Sequence, residues 1–92
     1  MSKELIICKI TDPLKFIVSN IYYIKEKDET KYKKCLCLNI QQHKVLFSYL
    51  DDTFELQYLN IYKFELDNDK YNILKMIDSP GNTRKTYYNI QF

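Results

Sequence analysis

The sequence predicts a small, mostly β domain, an antiparallel barrel or sandwich of six to eight short strands. Apolar and polar residues alternate with period two along most of the chain, which is the pattern of half-buried strands. Turn signals recur every ~8–12 residues, a spacing typical of all-β barrels and sandwiches. The 92 residues include no alanine, the best helix former, which argues against a helical bundle.

The predicted strands follow one another along the chain, with polar breaks between them. An apolar run at residues 5–10 ends at a Thr-Asp-Pro turn signal, because proline fixes φ and aspartate bonds its own backbone. The charged or polar stretch at residues 25–31 is predicted to be an exposed loop. Further alternating runs cover residues 14–24, 35–40, 45–50, 71–77 and 87–92. The remaining breaks are predicted turns at residues 41–43, 67–70 and 79–82.

One segment in the middle of the chain fits two patterns. Residues 54–58 and 62–66 both alternate as strands, and their dense Phe, Tyr and Ile favour strands. Five apolar side chains also fall at helical spacing: Leu50, Phe54, Tyr58, Ile61 and Tyr62. Asp51 or Asp52 would be a suitable N-cap for such a helix. We predict strands here, and the alternative is an α+β fold with one helix within residues 51–62.

Length and composition indicate one globular domain spanning residues 1–92. A chain of this length supports a single core, and 46% hydrophobic and 28% charged residues are ordinary globular fractions. No apolar run approaches the ~20 residues that span a bilayer, so we expect no membrane association. Lys9 interrupts the apolar N-terminal run, which argues against a signal peptide. We therefore expect a cytoplasmic protein with reduced cysteines.

The residue usage suggests an origin in an AT-rich genome. The chain has one glycine and one arginine against thirteen lysines, eleven isoleucines, nine tyrosines and seven asparagines. Residues with A/T-rich codons are thus favoured, which is common in phages and mobile elements of low-GC bacteria.

The sequence carries few groups suited to catalysis, and we expect no enzyme activity. Its single histidine, His43, falls in a predicted turn, whereas acid–base catalysis usually needs a base oriented by a second group. One glycine cannot build a Gly-rich phosphate loop. Cys35 and Cys37, with His43 and Cys8, could be drawn as a zinc site. Their Cys-x-Cys spacing differs from the usual Cys-x(2–4)-Cys, however, so we predict core packing and no metal or cofactor.

Charge is segregated along the chain. Residues 50–69 carry six acids and one lysine, whereas the segments before and after are net basic. The net charge of +2 is small for a dedicated nucleic-acid binder, which needs clustered cations. Two predicted loops nevertheless interleave cations with tyrosines, a combination that suits protein interfaces and also base stacking.

We therefore expect a small non-catalytic binding protein, an inhibitor from a phage or mobile element. Its partner would be a host protein or ribonucleoprotein, for example a CRISPR effector, in the host cytoplasm. Two alternatives stay open, a β-barrel nucleic-acid-binding protein and a toxin-immunity protein, and a homodimer is compatible with all three. The candidate binding residues lie in polar loops and on exposed strand faces: Lys31, Tyr32, Lys33, Lys34, Asp51, Asp52, Arg84, Lys85, Tyr87 and Tyr88.

Overall fold

The computed structural model describes residues 2–79, which form one six-stranded antiparallel sheet with two short helices. The strands are β1 (Ser2–Ile7), β2 (Ile21–Glu26), β3 (Lys33–Ile40), β4 (Lys44–Leu50), β5 (Leu56–Tyr62) and β6 (Tyr71–Ser79). A 3-10 helix (Pro13–Lys15) lies between β1 and β2, and α1 (Lys63–Asp67) follows β5. The predicted mostly β, antiparallel fold class is confirmed. The strand predicted at residues 87–92 lies outside the described residues.

The strand order is β1-β6-β2-β3-β4-β5. Strands β2 to β5 form a meander in chain order, while β6 is inserted between β1 and β2. Within residues 2–79, β1 and β5 each pair on one side only, so this sheet is open and not a closed barrel. Leu66 of α1 and the segment after β1 nevertheless line the same small cavity of about 70 Å³. The chain after β5 thus reaches back towards the N-terminal part of the fold.

The main hydrophobic cluster lies on one face of the sheet, which we call the core face; on the opposite side, the outer face, Tyr23 of β2 and Leu74 of β6 are also buried. Residues opposite one another on neighbouring antiparallel strands share a face, as do Tyr22 and Cys35, or Val45 and Ile61. These four side chains are all buried. Phe16, in the segment after the 3-10 helix, covers this face. The alternation predicted from the sequence is seen in β3 and in the first half of β4, whereas β2 buries Tyr22, Tyr23 and Ile24 in succession.

The segment at residues 14–18 is not the predicted strand. Asp12 accepts a hydrogen bond from the Leu14 N–H, and a 3-10 helix begins at Pro13. Proline at the first helical position suits this turn, because its φ is already helical and it has no N–H to satisfy. The strand predicted from residue 14 onward begins only at Ile21.

The ambiguous middle segment contains a strand and a helix, but the helix follows the strand. Residues 56–62 are β5, so the alternative of a helix within residues 51–62 is wrong. The strand predicted at residues 62–66 is also wrong, since α1 occupies Lys63–Asp67. Glu65 Oε1 accepts from the Tyr62 N–H at 3.0 Å, which stabilises the first turn. Neither helix of the described region is long and apolar enough to cross a membrane.

Candidate functional site

An open groove of about 670 Å³ lies at one end of the sheet, where β3 begins and β4 ends. Because β3 and β4 are antiparallel, the loop that enters β3 and the loop that leaves β4 meet at this end. We call these the β2–β3 loop (residues 27–32) and the β4–β5 loop (residues 51–55). The groove lies between them.

This groove brings together predicted residues from two distant parts of the chain. Six of the ten line it: Lys31, Tyr32, Lys33, Lys34, Asp51 and Asp52. The other four lie outside the described residues: Arg84, Lys85, Tyr87 and Tyr88. The sequence gives no reason to expect Lys31–Lys34 near Asp51 and Asp52, and the antiparallel pairing of β3 with β4 makes them neighbours.

The lining of the groove is mixed in charge. It includes four carboxylates and three lysines, together with the side chains of Tyr49 and Leu50. Leu50 is 60% exposed, so an apolar side chain is accessible beside the charged ones. Lys31, Lys34 and Asp52 are exposed at the rim. Such a lining offers a binding partner hydrogen-bonding groups and charges of both signs around a small apolar patch.

Lys33 and Glu29 brace the β2–β3 loop. Lys33 Nζ donates to Glu29 Oε2 at 2.8 Å and lies 5.8 Å from the centroid of the Tyr49 ring. Glu29 Oε1 accepts from the Glu26 N–H at 2.8 Å. The hydrogen bond from Lys33, followed by that from the Glu26 N–H, lowers the pKa of Glu29. Lys33 is thus a positioning residue for the groove wall.

Asp51 organises the β4–β5 loop. Its Oδ1 accepts from the Thr53 hydroxyl at 2.7 Å, the Thr53 N–H at 2.8 Å and the Glu55 N–H at 3.0 Å. Its Oδ2 accepts from Gln57 Nε2 at 2.9 Å. These hydrogen bonds, led by that from the Thr53 hydroxyl, lower the pKa of Asp51 to about 2. The carboxylate therefore stays charged and holds the loop in one conformation, a structural role in place of the predicted contact with a partner.

Phe54, at the tip of the same loop, is a candidate that the sequence analysis did not select. Its side chain is 83% exposed, and its φ of 62° is in the left-handed region. That region is unfavourable for a bulky non-glycine residue. The Phe54 N–H donates to the Asp51 carbonyl at 3.0 Å, which closes the turn. The signal in the sequence was the Asp-Asp-Thr cluster before Phe54, which favours a turn more than a strand.

The cysteines belong to the core and not to the groove. Cys35 and Cys37 are fully buried on the core face, and burial raises the pKa of Cys35 to about 12. His43 is exposed in the turn between β3 and β4. Across residues 2–79, no group of three or more His, Cys, Asp or Glu side chains is arranged to hold a metal ion.

Comparisons with models of protein families, with curated proteins and with solved structures give no match.

Proposed function

We propose that this protein is a non-catalytic protein-binding domain that holds its partner at the groove and at Phe54. The supporting observation is the convergence of two braced loops on an open groove of mixed charge. Each loop is ordered by its own hydrogen bonds, one through Glu29 and the other through Asp51. Loops that are already ordered lose little conformational entropy when a partner binds.

The charge of the groove favours a protein partner over a nucleic acid. A polyanion gains affinity by releasing counterions when clustered cations neutralise its phosphates. Here four carboxylates stand beside three lysines, so a phosphate backbone would meet repulsion as well as attraction. A protein surface can instead match both signs at the rim of an interface.

Phe54 is the proposed anchor of this interface. Interface energy is concentrated in a few large side chains that enter pockets on the partner. A phenylalanine that is 83% exposed gains little burial within its own fold. Its ring would gain that burial in an apolar pocket of the partner, with the rim charges of Lys31 and Asp52 setting the orientation.

We propose further that the partner is a host protein or ribonucleoprotein and that this chain inhibits it. The preference for residues with A/T-rich codons supports an inhibitor from a phage or mobile element, acting in the host cytoplasm. A toxin-immunity protein would use the same surface and differ only in its partner.

A comparison of two exposed phenylalanines tests the proposed function. The tagged protein, its Phe54→Ala variant and the control Phe64→Ala are used to capture proteins from a low-GC bacterial lysate. Phe64 is 63% exposed and lies on α1, away from the groove. We expect wild type and Phe64→Ala to retain the same partner and Phe54→Ala to bind it ~30-fold or more weakly, as for an interface hot spot.

Equal capture by all three proteins would contradict the role of Phe54. A Lys31→Glu, Lys34→Glu variant should also bind the partner more weakly, while its thermal stability stays unchanged, because exposed charges contribute little to stability. Salt-sensitive retention of wild type on heparin, abolished by the same variant, would favour the nucleic-acid alternative instead.

A further inference from the structure

The free edge of β5 differs from the protected edges that isolated sheets usually have. Natural edge strands carry charges, prolines or bulges that prevent pairing with another chain. β5 (Leu56–Tyr62) is seven residues long and contains no charged residue and no proline. β1, at the other edge of the described sheet, carries a lysine and a glutamate within six residues. The edge of β5 is thus suited to pairing.

The hydrogen bonds at the two ends of β5 show which of its backbone groups face the free edge. The Asp51 N–H donates to the Glu55 carbonyl at 3.0 Å, and the Lys63 N–H donates to the His43 carbonyl at 2.8 Å. Odd-numbered residues of this stretch therefore bond to β4, because bonded and non-bonded pairs alternate along an antiparallel ladder. The N–H and C=O groups of the even-numbered residues Leu56, Tyr58, Asn60 and Tyr62 point outward, and of these the Tyr62 N–H is already bonded to Glu65 Oε1. No strand among residues 2–79 pairs with them.

The outer face of the same strand is apolar and exposed. Leu56 is 54% exposed, Tyr58 60% and Tyr62 40%. All three share this face, since their partners on β4 alternate with the buried Val45 and Phe47. α1 turns towards the core face and buries Leu66 there, and its Glu65 side chain occupies the edge at Tyr62, so the edge is open from Leu56 to Asn60. An incoming strand would meet free backbone groups and an apolar surface together.

We infer that two copies of this chain pair antiparallel along β5, about a two-fold axis through Leu59. In this register Leu56 lies opposite Tyr62 of the second copy, and Tyr58 lies opposite Asn60. Tyr58 and Asn60 each face outward, so that pair exchanges two backbone hydrogen bonds. Leu56 and Tyr62 form one, from the Leu56 N–H to the Tyr62 carbonyl, because the Tyr62 N–H already donates to Glu65 Oε1. The apolar side chains of the outer face then continue from one copy onto the other, and the two sheets become one.

The charges at the ends of β5 favour this arrangement over other pairings. Glu55 directly precedes the strand and Lys63 directly follows it. The antiparallel register brings Glu55 of each copy to Lys63 of the other, whereas a parallel pairing would place like charges together. Within α1, Lys63 Nζ also lies 3.3 Å from the Asp67 carboxylate. This ion pair is exposed, so Lys63 can contact Glu55 of the second copy as well as Asp67. The strand is therefore complementary to itself, which is the requirement for a two-fold interface.

This interface is independent of the proposed binding groove. The groove lies on the β3 side of β4, and the free edge of β5 lies on the opposite side. Asn60 lies outside both groove loops, so loss of dimerisation through Asn60 and loss of partner capture through Phe54 are separate results.

The test measures the mass of the full chain by sedimentation over a concentration series. We expect a reversible dimer of the 11.2 kDa chain. Asn60→Pro removes an outward-facing N–H but no bond to β4, and proline is tolerated where the N–H of an edge strand faces solvent. This variant should raise the dimer Kd at least ~tenfold, since it removes edge hydrogen bonds, while the control Asn60→Ala stays near wild type. A wild-type monomer at every concentration, or a dimer insensitive to Asn60→Pro, would overturn the inference.

A charge-swap series tests the register without altering the backbone. Glu55→Lys alone and Lys63→Glu alone should each raise the dimer Kd by on the order of tenfold, because each creates like-charge contacts at both ends of the interface. The double variant Glu55→Lys, Lys63→Glu should return the Kd towards wild type. Failure of the double variant to restore dimerisation would exclude this register.

Discussion

At the residue scale, the backbone conformation of Phe54 destabilises the β4–β5 loop, whereas the hydrogen bonds accepted by Asp51 stabilise it. A left-handed conformation costs a non-glycine residue ~1–2 kcal/mol, and the exposed ring recovers little of that by burial. The hydrogen bonds accepted by Asp51 hold the loop in this conformation all the same. Strained residues that the surroundings over-determine cluster at functional sites, and Phe54 fits that description.

Replacing Phe54 with asparagine should therefore stabilise the fold and impair binding. Asparagine tolerates the left-handed region, so we expect Phe54→Asn to gain ~1 kcal/mol. This corresponds to a rise in Tm of roughly 4–8 °C for a domain of this size, measured by calorimetry. Phe54→Ala keeps a β-carbon and most of the backbone cost, so its Tm should stay near wild type. Equal Tm values for the two variants would show that the backbone at residue 54 is not strained.

The same two residues show how far a site can be predicted from sequence. The polar cluster around Asp51 correctly indicated a loop, but not the direction of its carboxylate. Asp51 accepts from Gln57, which lies beyond the loop on β5. Phe54 was read as part of a strand because apolar residues alternate around it, and its exposure depends on the turn that Asp51 imposes.

At the element scale, α1 buries Leu66 as its sequence suggests but departs from the pattern at Phe64 and Glu65. Alternation at residues 62–66 predicts apolar side chains inside and Glu65 outside. The structure buries Glu65 and leaves Phe64 exposed, stacked on Tyr62 at 5.9 Å between ring centroids. Glu65 Oε2 accepts from Lys70 Nζ at 2.8 Å. Local periodicity could not reveal this, because the partner of Glu65 lies beyond the helix.

Glu65 should make the stability of the fold depend on pH. Burial would raise its pKa, but hydrogen bonds from Lys70 and from the Tyr62 N–H outweigh this and lower the pKa below its ordinary value. The folded pKa is thus below the unfolded one. The ionised side chain therefore stabilises the fold above the ordinary carboxyl range, and this contribution is lost as the pH falls through the folded pKa.

We expect Glu65→Gln to lower the free energy of unfolding by ~1 kcal/mol at neutral pH. The difference from wild type should shrink towards zero in acid, which urea titrations at several pH values can measure. A difference that is constant with pH would show that the charge of Glu65 contributes nothing to stability.

At the scale of the whole molecule, the buried cysteines report on the integrity of the sheet. Cys35 and Cys37 lie on the core face of the central strand β3, and Cys8 is half-buried. Burial raises the pKa of all three thiols, to about 12 for Cys35. The thiolate is the reactive form, so buried thiols react slowly.

An alkylating reagent should consequently modify at most Cys8 in the folded protein. Cys35 and Cys37 should react only at the rate at which the domain unfolds, and all three should react in denaturant. Mass spectrometry counts the labels directly. Rapid modification of two or more cysteines in native buffer would contradict the placement of β3 in the core.

The fold class was predictable from the sequence, while the arrangement of the strands was not. Alternation at residues 35–40 and 45–50 identifies β3 and β4 well, because each strand buries one face. Closure of the sheet depends on whether its two edge strands meet, and no local pattern encodes that. The position of β6 likewise depends on pairing between residues far apart in the chain.

The insertion of β6 between β1 and β2 has a consequence for synthesis of the chain. The meander from β2 to β5 contains only neighbouring strands and can form as soon as its residues leave the ribosome. β1 is made before the meander, but its partner among residues 2–79 is β6, which is translated after it. β1 must therefore wait until Tyr71–Ser79 has been made, and its late capture closes the longest loop in the described fold. We expect this docking step to limit the folding rate of the newly made protein.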